Sequence, residues 1–92
     1  MTSLSTQVVQ EDLYTLLVGQ LRYSLGRRSY IVGVTADLVR KYARDLTANQ
    51  RDTLLADLRR HVEDNRRGLM EEPRDIAEVW SGLLDEMEAA RA

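Results

Sequence analysis

From residue 10 onward, leucines recur at three- and four-residue steps: Leu13, Leu16, Leu17, Leu21 and Leu25. This spacing lines one face of an α-helix and does not alternate as a half-buried strand would. Glu11 and Asp12 put negative charge near the helix start, and Gly26 can take the left-handed backbone that ends a helix. The pattern predicts a first helix over 10–25, preceded by a short flexible N-terminus, residues 1–8. A second stripe follows through Ile31, Val34 or Thr35, Leu38, Tyr42 and Leu46, with Ser29 as a suitable N-cap. The β-branched run "YIVGVT" would also suit a strand, but "ADLVRKYARDL" restores helical spacing, so a helix is predicted over 30–45.

The third segment carries the clearest start signal, since Thr47-Ala48-Asn49-Gln50 fits a capping box and leads into Leu54, Leu55, Leu58 and Val62. Arg66, Arg67 and Gly68 mark its end. A fourth helix is predicted to start at Pro73, with Glu72 before it, Asp75 in its first turn, and Ile76, Val79, Trp80, Leu83 and Met87 on its apolar face. The expected fold is all-α, a small bundle of about four helices forming one domain over residues 1–92. A chain of this length builds a thin core, which self-association would support.

Composition narrows the class further. Hydrophobic residues make up 43% and charged residues 30%, the balance of a globular domain. There is no cysteine, so disulfide and thiolate chemistry are excluded. The opening "MTSLSTQVVQED" has neither a basic nor a continuously apolar stretch, and no window is apolar enough to span a bilayer. A soluble, cytoplasmic protein with no membrane association is expected. All the basic residues but Lys41 are arginine, which suggests a high-GC genome.

Net charge is −2, yet it is unevenly spread. Between Gln20 and Arg44, six basic residues stand against Asp37 alone; from Glu71 onward, seven carboxylates stand against Arg74 and Arg91. The two regions are expected to face each other, within one chain or between copies.

Catalytic chemistry finds little support. His61 is the single histidine, with no second histidine or cysteine at ligand spacing, and it reads as a helix-face residue paired with Asp57 one turn earlier. No nucleophile elbow or phosphate loop is present. The expectation is a non-enzymatic protein with no metal and no cofactor.

One stretch carries more chemistry than a helix connection needs. "LRYSLGRRSYIVG", residues 21 to 33, holds three arginines, two tyrosines, two glycines and two serines. Free amides and the positive dipole end of the second helix make an anion site, to which Ser29 adds a hydroxyl. Arg27 and Arg28 offer two forks for phosphate oxygens, and Arg22 lies one turn back from Gly26. Tyr23 and Tyr30 flank the turn and can stack on a nucleobase. The candidate ligand-binding set is therefore Arg22, Tyr23, Arg27, Arg28, Ser29 and Tyr30, with a phosphate-bearing nucleotide as the ligand. The same residues also fit a structural clamp or dimer seam, its arginines paired with the acidic fourth helix and both tyrosines packed as core aromatics with their hydroxyls at the surface. A helix-turn-helix bound to DNA fits less well, because the first half of the second helix lacks base-reading side chains and the chain is acidic overall.

The run from Leu21 to Ile31 resembles "LRYxLGRRxYI"-like segments of small bacteriophage and prophage proteins, a largely uncharacterised family. A weaker likeness extends over the other helices, including an aromatic in the last one, here Trp80; Pro73 and the acidic residues around it depart from the pattern. The resemblance implies a phage protein acting in the host cytoplasm against a host process. Two routes are open: sequestering a nucleotide used as an antiviral immune signal, or binding and inhibiting a host protein through the fourth helix, with Trp80 as an anchor if it is exposed. A homo-oligomer is expected in the first case, since pockets form readily between copies.

Overall fold

The structure is a computed structural model and describes residues 2–27 and 30–91. Among these the chain is all-α: α1 (Thr2–Ser24), α2 (Ile31–Tyr42), one 3-10 turn (Ala43–Asp45), α3 (Ala48–Arg66) and α4 (Arg74–Arg91). Helix α1 begins at Thr2 and not near residue 10, so it covers most of the N-terminal segment that the leucine pattern leaves outside the helix. No apolar stripe marks "TSLSTQVVQ" as helical, which is why periodicity does not find it. Among the described residues no helix is long and apolar enough to cross a membrane.

The helix ends obey local rules. Gly26 (φ +82°) and Gly68 (φ +72°) adopt the left-handed backbone that stops α1 and α3. After α3, the Leu69 amide donates to the Asp64 carbonyl and the Gly68 amide to that of Asn65, the paired bonds of a Schellman stop. At the start of α3, the Thr47 hydroxyl accepts from the Gln50 amide, and the Gln50 side chain accepts from the Thr47 amide at 3.0 Å. Helix α4 begins at Arg74, one residue later than predicted, with the Pro73 carbonyl accepting from the Ala77 amide.

The four helices form two hairpins, α1 on α2 and α3 on α4, joined by packing of α2 on α4 and α1 on α3. The core consists of Leu17 and Leu21 from α1, Val32, Ala36 and Val39 from α2, Leu54, Leu55, Leu58 and Val62 from α3, and Trp80, Leu83 and Leu84 from α4, closed at one end by Ala43 and Leu46. The buried stripe of α2 is rotated by one residue from the predicted one. Val32, Thr35, Ala36 and Val39 point inward, while Leu38 and Tyr42 are only half-buried and Val34 is exposed. Alanine at 36 and 43 allows close approach of neighbouring backbones, which the larger side chains at 31, 34, 38 and 42 would not. Leu16 also departs from its predicted place on the inward face, being 69% exposed.

The first hairpin is locked by buried polar atoms. Ser24 and Thr35, both fully buried, share a hydrogen bond of 2.6 Å, and Gln20 donates to the Thr35 hydroxyl at 3.1 Å. At the hairpin's far end, Gln10 donates to the Asp45 carbonyl. Thr35→Val keeps the side-chain shape but strands the Ser24 hydroxyl in an apolar site, and we expect it to cost about 1–3 kcal/mol. For a domain of this size that lowers the thermal midpoint by roughly 4–8 °C per kcal/mol. Adding Ser24→Ala removes the stranded group, so the double variant should recover part of the loss in thermal melts.

Candidate functional site

Positions 17, 21 and 24 face inward from the last two turns of α1, so the intervening Arg22 and Tyr23 face out. The chain then turns at Gly26, and the Arg27 amide donates to the Ser24 carbonyl at 3.0 Å. Tyr30 precedes α2 with a helical backbone and caps it with no side-chain bond, while its carbonyl accepts from the Val34 amide. Tyr23 is 57% exposed and Tyr30 85% exposed. Neither ring is therefore needed by the core, contrary to the alternative in which both are core aromatics.

Arg27 lies across the Tyr23 ring, its guanidinium carbon 4.5 Å from the ring centre, and its Nε donates to the Tyr23 carbonyl at 3.1 Å. Stacking orders the guanidinium while leaving its other N–H groups directed outward. Arg27 forms no ion pair with a described residue. Arg28 and Ser29, also expected in the site, lie outside the described residues.

Arg22 is engaged differently from the expectation. Its Nε donates to Asp57 of α3 at 2.8 Å, tying the first hairpin to the second. That hydrogen bond, with the Asp57 charge, raises the Arg22 pKa above its already high ordinary value, so this arginine stays cationic. Arg22 lines a shallow recess with Leu25, Arg60, Asp64 and Met70 on the side facing α3. Of the expected six, the structure thus brings Tyr23 and Arg27 into contact, leaves Tyr30 exposed across the turn, and commits Arg22 to a structural pair.

The acidic fourth helix meets the basic region in part. Arg40 of α2 donates to Glu86 of α4, and Arg59 of α3 to Glu88, while Arg27 takes no share in this clamp. For DNA reading, the exposed positions in the first half of α2 are Gly33 and Val34, which offer no base-reading side chain.

Around α3 and α4 one further expectation holds and one is corrected. Trp80 is fully buried, as its place on the apolar face of α4 predicts, so it is a core residue and offers no anchor to a partner. His61 pairs with Glu72 and not with Asp57: its Nε2 lies 2.9 Å from Glu72 Oε2, with both side chains more than nine-tenths buried. Asp57 is one turn away from His61, but Arg22 takes it; Glu72 reaches His61 because the stop at Gly68 folds the chain back over α3. A glutamate just before Pro73, close to the helix-four start, was the only available signal in the sequence.

Comparison with protein-family models, with curated proteins and with solved structures returns no match. The fold class is therefore that of a small all-α bundle, and the candidate site rests on its own geometry.

Two stability outcomes follow from these contacts. Arg27→Ala and Tyr30→Ala remove only exposed groups, so each should leave the folding free energy within about 1 kcal/mol of wild type in urea titrations. His61→Ala leaves the Glu72 carboxylate buried without its partner and should cost about 3 kcal/mol.

Proposed function

We propose that the chain is a non-enzymatic protein, of the phage type that its Leu21–Ile31 run resembles, which captures a phosphate-bearing nucleotide at the α1–α2 turn. In that setting the nucleotide would be a host antiviral signal, held out of reach of its receptor. The observation that carries this reading is the pair of exposed tyrosines, Tyr23 and Tyr30, with Arg27 stacked on the first and not engaged in any ion pair with a described residue.

A nucleobase stacks on the free Tyr30 ring at little entropic cost, because a tyrosine has few rotamers to lose. The outward N–H groups of Arg27 grip two phosphate oxygens, next in sequence to Arg28 and Ser29. Arg22, held by Asp57, adds positive field more than a direct grip. Enclosure of the ligand calls for a second copy set against the turn, as a homo-oligomer provides.

A second reading has its own support. Leu16 of α1 and Val34 of α2 are exposed apolar residues, the kind of side chain that a host protein's surface could cover. This docking face lies on α1 and α2, not on the acidic fourth helix.

The tests separate the two. Purified protein should show raised absorbance at 260 nm relative to 280 nm, and heating should release a nucleotide identifiable by mass spectrometry. Calorimetry against a panel of cyclic and linear nucleotides should give saturable binding that Arg27→Ala weakens about tenfold or more, with helical content unchanged. No nucleotide on the protein and no heat of binding across the panel would sink the first reading. A stoichiometric host protein lost on Tyr30→Ala would then carry the second.

A further inference from the structure

Past the C-terminal end of α2, the 3-10 turn, the start of α3 and the last turns of α4 surround an open cavity of about 450 Å³. It exists because side chains there are small: Ala43, Ala48 and Ala90 stand where larger residues would close it. Val39 and Leu83, both fully buried, back its floor and are not themselves within reach. What a ligand can touch is the half-buried Met87, the exposed Ala48 and Ala90, and the aliphatic arms of the arginines around the mouth. The reachable interior is therefore apolar, and methionine adapts its shape to what lies against it.

The mouth carries the charge. Arg40, Arg44 and Arg51 stand there with two carboxylates, Asp52 and Glu86. Arg40 donates to Glu86, and Asp52 is engaged as well. Arg44 and Arg51 are exposed and form no ion pair with a described residue. Three positive charges against two negative leave an excess of one. Arg51 also sits in the opening turn of α3, where the helix dipole disfavours a cation. One negative charge at the mouth offsets both costs. A phosphate monoester brings close to two charges and would leave part of its charge unmatched. A carboxylate brings one, and its two oxygens fit a guanidinium fork side by side.

We propose that this cavity binds a small amphipathic carboxylate, its chain on Met87 and the alanines and its carboxylate held by Arg44 and Arg51. The volume suits a ligand pocket and is about three times the roughly 150 Å³ that holds a benzene, which gives room for a chain of about eight carbons. The site lies beyond the far end of α2 from the α1–α2 turn, and its test involves no nucleotide.

Three probes are titrated into wild-type protein by calorimetry: octanoate, 1-octanol and acetate. Octanoate should bind saturably with one molecule per chain. Octanol has the tail without the charge and acetate the charge without the tail, so each should bind at least about tenfold more weakly than octanoate. Arg44→Ala and Arg51→Ala remove exposed groups and should keep the helical circular dichroism of wild type. Together they should weaken octanoate binding about tenfold or more, the loss of charge-assisted contacts to the carboxylate. If the double variant loses its helical signal, the three-probe comparison on wild type decides alone. The absence of saturable octanoate binding, octanol binding as tightly as octanoate, or a folded double variant that binds octanoate like wild type each overturns the proposal.

Discussion

The bond between Ser24 and Thr35 sets the orientation of everything on the first hairpin. Two hydroxyls with no access to water must face each other, so α1 and α2 can meet in one rotation and one register. A purely apolar seam would tolerate a slip. Once Ser24 points inward, Arg22 and Tyr23 must point outward, one residue being a 100° step around the helix. Once Thr35 points inward, Val34 faces solvent. The exposed chemistry at the turn is thus a geometric consequence of a buried polar pair, and ligand capture at that turn inherits its precision from the pair.

Local signals in the sequence are legible because they act through neighbouring residues. Gly26 and Gly68 end helices with positive φ, and Thr47 and Gln50 close a reciprocal cap, as their types and spacing predict. Rotations of whole helices were harder to read. In α2, apolar residues at 31, 34 and 38 compete with those at 32, 36 and 39, and only packing against α1 and α4 decides between them. Small alanines at the contact won over bulk. In α1, Ser24 falls on the same stripe as Leu17 and Leu21, a placement that its polarity disguised.

Partners distant in sequence were the least legible. Arg22 and Asp57 are 35 residues apart and His61 and Glu72 are 11 apart, across a loop whose path depends on the Gly68 stop. Sequence spacing ranks Asp57 as the natural partner of His61, and nothing local reveals that an arginine from another helix claims it. The tyrosines of the turn could be read either as core or as contact residues, and their exposure settles that question of placement.

The wiring of those hairpins has a kinetic consequence. Helix α1 packs on α2 and α3 on α4, each pair joined by a connection of only a few residues, and the α2–α4 and α1–α3 contacts close the bundle. Contacts between near neighbours require little loop closure before they begin to stabilise the chain. Such topologies fold on the order of microseconds to milliseconds. A chain with so thin a core spends little time with its leucines exposed between synthesis and the folded state, which limits its opportunity to aggregate.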